Sequence, residues 1–498
     1  MKKLTSLSFL LAFYAMGFGQ SDVELVNSTV FKRDIESNVY FLASDELKGR
    51  QTGSAELDIA AAYIANTLYR FGVKPAGDNG TFYQNVPLVK TTAPSNISFK
   101  INDLTGDKFL GISVRNVDYK GEAIYLGFGS KEDFDKNDVK GKLVVTRAGT
   151  SDSISGRAKF IAGRNKRAMA KAAGAAGLVE FIAVDENLWN RYAHYFNEDK
   201  TGLKNTDDEE KFIHVYMVDK GMETADAVAG SKNLTAELNI QGIKNEDLSS
   251  RNVVGYLEGS DPKLKDEFII YSGHYDHVGV GAPNADNDSI YNGARDNAIG
   301  TASILSAAEN LAKYPTKRSS LFILFTGEEK GLLGSEYYVE HPVIPLKKMV
   351  YCFNSDGAGY NDTSKITIFG LNRTTAGQHI IDAGKQFGLT VIDDPAPEQN
   401  LFDRSDNVNF AEKGIPAPTF SLGFTAFDEE INKYYHQVTD NPDTVDYDYL
   451  VKFFKAYVLT ARLISNDPKT PFWTEGDKYY NAGVELYKEK KEEASVLD

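Results

Sequence analysis

Cysteine is nearly missing from this chain: Cys352 is the only one in 498 residues. A lone thiol excludes an intrachain disulfide, so the fold must be held by its core. Within Val350-Tyr351-Cys352-Phe353 it reads as a small apolar core residue rather than a nucleophile. Positive charge is also in short supply, 55 Lys and Arg against 70 Asp and Glu, a formal net charge of -15. Phosphate binding requires a basic face and none is evident, which argues against nucleic acid as a partner. Long apolar runs are confined to the start, where Lys2-Lys3 precede the stretch Leu4 to Phe18, and Gly17 and Gly19 precede Gln20. That is the pattern of a signal peptide over residues 1–19, too short for a stable membrane span. The expectation is an exported protein, periplasmic or secreted. What the chain does have is core material, 42% hydrophobic and 12% aromatic residues, far from a disordered composition.

Two periodicities divide the remainder. Val30, Ile35, Val39 and Leu42 recur at helical spacing, and a second amphipathic helix runs from Ala60 through Tyr69, ended by Gly72 and Pro75. From about Ile97 the pattern alternates, with short runs such as Ala123–Leu126 and Lys142–Val145 between Gly and Asp turns. A small-residue helix over Ala168–Ala176 leads to the runs Leu178–Ile182 and Ile213–Val218. This block, residues 100–242, carries no metal-type cluster and reads as a β-rich domain inserted into a main domain of residues 20–99 and 243–498. After Ser250, helices are expected over Gly300–Leu311, Gly334–Glu340, Thr374–Phe387 and Tyr449–Ile464. Strands are expected over Ser320–Thr326, Met349–Ser355, Ile366–Phe369 and Thr419–Leu422. Alternation of this kind predicts an α/β fold, a doubly wound mixed sheet flanked by helices. The Lys488–Glu493 charge run reads as a solvated helix end.

Chemistry concentrates after the strand-like runs. Phe268–Tyr271 opens onto Ser272-Gly273-His274-Tyr275-Asp276-His277, and Leu321–Phe325 onto Thr326-Gly327-Glu328-Glu329. Asp296 lies in a glycine-bounded turn, Asp356 follows Met349–Ser355, and Tyr435-His436 comes later. Each has a plainer explanation by itself. Paired glutamates suit a helix N-terminus, and an aspartate in a glycine-rich turn suits an Asx turn. His194, His214 and His379 have no acidic motif beside them and read as structural, and His341 before Pro342 as a helix terminator. That five clusters should all follow strand-like runs is less easily put down to chance, because open α/β sheets place catalytic groups at the carboxyl ends of strands. His274, Asp296, Glu329, Asp356 and His436 supply the nitrogen and oxygen donors that a zinc pair with one bridging carboxylate wants.

The patterns Gly-His-x-Asp-His, Gly-Ala-x-Asp-Asn-x-x-Gly, Thr-Gly-Glu-Glu-x-Gly-Leu-x-Gly-Ser and Asn-x-Asp-x-x-Gly together resemble those of the di-zinc aminopeptidase and glutamate carboxypeptidase family, from about Val30 to Ser465. The inserted block, with Gly141–Val145 and Ala172–Gly177, is similar to the protease-associated domain of many members. The resemblance implies a zinc exopeptidase fold and two zinc ions. Asp296 would bridge them, with His274 and Asp356 on one and Glu329 and His436 on the other. It implies Glu328 as general base toward a water bridging the metals, and Tyr435 as the donor to the oxyanion. Asp276 and Asp440 are implied as outer carboxylates orienting His274 and His436, with His277 a structural neighbour. It also implies a cis peptide between Asp296 and Asn297. Asn407, where the family often has histidine, and Arg295, at a frequently acidic place, depart from the pattern and bear on the substrate wall.

The reading is an exported di-zinc metallopeptidase acting on peptide substrates, an aminopeptidase first. A carboxypeptidase or dipeptidase of the same family would want Arg295, Arg373 or Arg404 near the metals to hold a carboxylate. A glutaminyl cyclase fits less well, since His274 is present. From a different class, a binding scaffold of the same fold would have lost ligands, and this chain keeps them.

Overall fold

The structure, a computed structural model, describes residues 20–488 apart from 112–114, 153–155, 186–187, 190–191, 194–196 and 205–211. The expected signal peptide, His194 and most of the terminal charge run fall outside the described residues. The described chain divides into two units, residues 20–85 with 251–488, and residues 86–250.

Unit 1 is built on a mixed sheet. Its main strands are β1 (Asn245–Leu257, entering the unit at 251), β2 (Phe268–His274), β3 (Ser319–Phe325), β4 (Met349–Ser355), β5 (Lys365–Phe369), β6 (Thr390–Asp393) and β7 (Thr419–Ser421). They lie in the order β6-β5-β7-β4-β2-β3-β1. The four central strands, β7, β4, β2 and β3, run parallel, β1 and β5 pair antiparallel to their inner neighbours, and β6 runs parallel to β5. The central strands are buried along almost their whole length because both faces are covered. Alternation, interrupted in β4 by an irregularity at Val350, then sorts the side chains by face. Ile269, Tyr271, Phe322, Leu324, Val350 and Phe353 join one core with the helices Ala55–Phe71, Ile299–Lys313 and Tyr447–Asn466. Ile270, Leu321, Ile323, Phe325, Met349 and Cys352 join a second core with Tyr338, Val339 and Phe410. Each such side chain contributes about 1.5–3 kcal/mol relative to exposure. Cys352 is fully buried, and burial pushes its thiol up to about 12, so it packs rather than reacts.

Local signals set most boundaries. Ser54 caps the helix Ala55–Phe71 by accepting from Leu57, and Gly72 ends it in the left-handed conformation. His341 is the C-cap of Leu333–Glu340. The helix expected from Thr374 instead begins at Gly377, because Thr374 pairs with Trp473 in an isolated bridge.

Unit 2 has its own eight-stranded sheet and a separate core around Phe99, Val145, Val179, Val215 and Leu238. Its strands Val117–Tyr125, Leu143–Arg147, Gly177–Ile182 and Ile213–Val218 are parallel neighbours in that order.

Candidate metal centre

Three carboxyl ends of the parallel strands in unit 1 converge. His274 is the last residue of β2, Glu328 and Glu329 follow β3, and Asp356 follows β4. Asp296 arrives on the turn before the helix Ile299–Lys313, and the Asp296–Asn297 peptide is cis. Asn297 locks that turn to the strand ends. Its Nδ2 donates to Ser355 O at 2.9 Å and to His274 O at 3.4 Å, while its Oδ1 accepts from Gly300 N. Gly293 opens the turn at φ +60, and a Cβ there would stand 2.3 Å from Asp296 O and 2.6 Å from the His277 ring. No other residue type fits that approach.

Arg50 is the support that sequence reasoning passed over. It is 1% exposed and donates to Tyr275 O at 2.8 Å, Asn292 O at 2.7 Å, Gly293 O at 3.0 Å and Leu42 O. One guanidinium thus ties the loop after β2 to the loop before Asp296. In the sequence Gly49-Arg50 looks like any loop pair, and only its burial reveals the role.

The acidic and imidazole side chains meet as follows. His274 Nε2 lies 3.3 Å from Asp296 Oδ1 and 3.2 Å from Asp356 Oδ1, with Glu328 Oε2 at 4.0 Å. His436 Nε2 lies 3.2 Å from Asp296 Oδ2 and 3.1 Å from Glu329 Oε2. Asp296 therefore turns one oxygen toward each histidine. His436 reaches the cluster from a left-handed backbone (φ 53), and the Tyr435 ring stacks on it at 4.2 Å. Potential metal-holding atoms fall into two groups, His274, Glu328 and Asp356, and His277, Asp296, Glu329 and His436. His277, read from sequence as a bystander, sets Nδ1 at 2.7 Å from Glu329 Oε1, and its Nε2 is buried without a partner.

The two outer aspartates act differently from each other. His274 Nδ1 lies 3.1 Å from the Asp276 carbonyl and 3.8 Å from its carboxylate, which accepts from Thr52 Oγ1 at 2.7 Å and Glu328 N at 3.1 Å. Asp276 thus steadies both the β2 end and the glutamate pair. Asp440 does not take up His436 as expected. Its carboxylate accepts from Arg295 Nη1 and N, both at 2.9 Å, and from Asp296 N at 3.3 Å, because Arg295 follows Ala294 into its reach. Arg295 is buried, stacked on Tyr434 at 3.7 Å, and does not line the pocket; Asn407 is buried too, donating to Phe402 O and Ala417 O. Neither side chain is among those lining the pocket beside the cluster.

The electrostatics follow from burial and crowding. Desolvation alone would lower His274 and His436, yet the surrounding carboxylates raise both, His436 to about 10. Burial would raise Glu329, but hydrogen bonds from His277 and His436 hold it at about 2. Glu328 lacks such partners, and burial with the nearby acids Asp356 and Glu329 pushes it well above the usual carboxyl range. The cluster is a field of excess negative charge held by N and O donors, which fits zinc. It opens on a pocket lined by Phe369, Leu401, Phe424, Phe427, Arg404 and Tyr435.

Residues 252–461 match the model of Peptidase family M28. The chain is 28% identical over 223 residues to Aminopeptidase YwaD of Bacillus subtilis, covering 44% of this chain and 46% of that protein. It is 25% identical over 253 residues to the probable leucine aminopeptidase 2 of Aspergillus oryzae, covering 45% and 46%. The alignments thus span about half the length of these curated relatives. The fold is similar to that of the aminopeptidase from Aneurinibacillus sp. strain AM-1, with a TM-score of 0.59 and 22% identity over 90% of this chain and 97% of that one. The matched segment, residues 252–461, contains the strand ends that bring these side chains together, and over it the chain is similar to peptidase family M28.

Proposed function

We propose that this chain is a di-zinc exopeptidase that removes residues from the amino ends of peptides. The observation that carries the reading is Asp296, whose two oxygens face His274 and His436 at 3.3 Å and 3.2 Å. His274 and Asp356 would hold one zinc, Glu329 and His436 the other, and Asp296 both. Bound there, zinc supplies a lowered pKa for water and polarisation of a carbonyl.

The chain's own groups do the remainder. Glu328, raised by burial and standing next to the ligands without a hydrogen bond from them, takes the proton of the attacking water and passes it to the leaving amine. Burial and the charges of Asp296 and Glu329 push the Tyr435 hydroxyl up, so it stays a proton donor for the developing oxyanion. His277 and Asp276 hold Glu329 and Glu328 in place. The carboxylate-rich wall favours a substrate ammonium, which supports attack at the amino end.

Two of the three arginines that a carboxypeptidase would want are engaged elsewhere. Arg295 is held by Asp440, and Arg373 by Asp477 at 2.6 Å and by the Phe402 ring at 3.7 Å. The intact donor set counts against a binding scaffold. Export rests on the charge-then-apolar pattern of residues 1–19, and the protease-associated reading of the insert on its glycine- and alanine-rich motifs. A panel of dipeptides blocked at either end, run with zinc analysis, tests the proposal. Cleavage of N-blocked but not of free-amine dipeptides would reverse it to carboxypeptidase, and absence of both zinc and hydrolysis would leave the scaffold.

A further inference from the structure

The pocket beside the metal-type cluster holds one group that the aminopeptidase reading leaves unused. Its wall away from the ligands is apolar, formed by Phe369, Leu401, Phe424 and Phe427, and Arg404 is the one Arg or Lys among the described residues that line it. Arg404 closes the short 3₁₀ turn Leu401–Arg404. Leu401 and Arg404, at the two ends of that turn, both line the pocket. The contrast with Arg295 and Arg373 is informative, since both are satisfied by carboxylates and aromatic rings. Arg404 is exposed, and among the described residues no carboxylate or ring engages its guanidinium. Its neighbour Asp403 is taken by Lys478 and by Tyr479, 3.0 Å away. Ser405, on the other side, accepts from Asn354. Arg404 lies near enough to Tyr435 to oppose the upward push of burial on that hydroxyl.

An unpaired guanidinium beside a catalytic cluster wants an anion, and its planar fork matches a carboxylate. We propose that Arg404 is a specificity residue that receives a substrate carboxylate close to the scissile bond. This rests on the aminopeptidase reading. Two substrate groups offer that chemistry, the free C-terminus of a dipeptide and the side chain of an acidic N-terminal residue. The apolar wall suits an apolar N-terminal side chain, and the exposure of Arg404 places the anion toward the mouth, so the dipeptide C-terminus is the favoured source. The enzyme would then prefer short peptides, finishing what endopeptidases and longer-range exopeptidases begin.

The test is a ratio. For the zinc-loaded full chain, kcat/KM for Leu-Leu should exceed that for Leu-Leu-amide by about fivefold, the upper end for an exposed ion pair. Arg404→Ala should bring the ratio close to one, Arg404→Glu should invert it, and Arg404→Lys should restore part of it. A merely structural role would lower both substrates together and leave the ratio intact, which would overturn the proposal. If instead the variant loses Glu-p-nitroanilide relative to Leu-p-nitroanilide, the carboxylate comes from the N-terminal side chain. Loss in neither comparison overturns the proposal. Calorimetric binding of Leu-Leu and Leu-Leu-amide to Glu328→Ala, with and without Arg404→Ala, reads the same contact without turnover. It therefore separates failure of Arg404 from failure of the peptidase reading.

Discussion

Two clusters of imidazole and carboxylate, one in each unit, resemble each other as residue lists and differ in charge balance. In unit 1, Glu328, Glu329, Asp296 and Asp356 surround His274, His277 and His436, and the group opens on a pocket. In unit 2, Glu180 receives Lys166 and has His214 Nε2 at 2.8 Å, all three at most 3% exposed. Lys166 also donates to Arg147 O at 2.7 Å and Gly149 O at 3.2 Å. The second cluster carries its own counter-charge and is sealed. The first has carboxylates in excess and access for an ion. Charge surplus with an opening, rather than the presence of histidine, separates the candidate metal site from the structural cluster.

The comparison can be broken most sharply at Glu328. Glu328→Ala should lower kcat on the order of 10²–10⁴-fold while bound zinc is unchanged. Parallel loss of zinc would make Glu328 a ligand instead of a base. Next comes the sealed cluster, where Glu180→Gln leaves Lys166 buried without its partner and should cost about 3–5 kcal/mol. Trp189 and Trp473, the chain's two tryptophans, lie one in each unit, so single-tryptophan versions would follow each transition in urea. The loss should be confined to the Trp189 signal, with zinc content untouched.

A smaller effect is expected at Asp276. Asp276→Asn weakens the grip on the Glu328 backbone and the β2 loop, and should cost about 10–100-fold in zinc affinity or activity. The smallest effect is a pH dependence. Burial alone would raise Glu180, but His214 and Lys166 hold its carboxyl below the usual range. The folded value lies under the unfolded one of about 4.3, so the contribution is complete above that pH and fades as pH falls through the folded value. The Trp189 transition should weaken in that acid window in the parent chain and much less so in Glu180→Gln.

Much of both units was legible in order along the chain. Met349–Ser355 and Ile213–Val218 were bounded to the residue, since these buried parallel strands are mostly apolar runs, each followed by a charged residue. The helix over Asp22–Asn27 and the short helices Asn407–Glu412 and Glu429–Tyr434 went unread, because six residues leave too little periodicity to detect. His214 and His379 looked isolated, yet each has a carboxylate brought in by the fold, Glu180 at 2.8 Å and Asp467 at 2.6 Å.

The sequence by itself determined which side chains meet at the strand ends, since a parallel sheet delivers whatever follows each strand to one edge. Only the tertiary structure decided which groups serve which. Asp440 went to Arg295 and not to His436, Arg50 turned inward to bind two loops, and Arg404 was left facing the pocket unpaired. Those outcomes depend on distances between segments far apart in the chain, and local pattern carries no record of them.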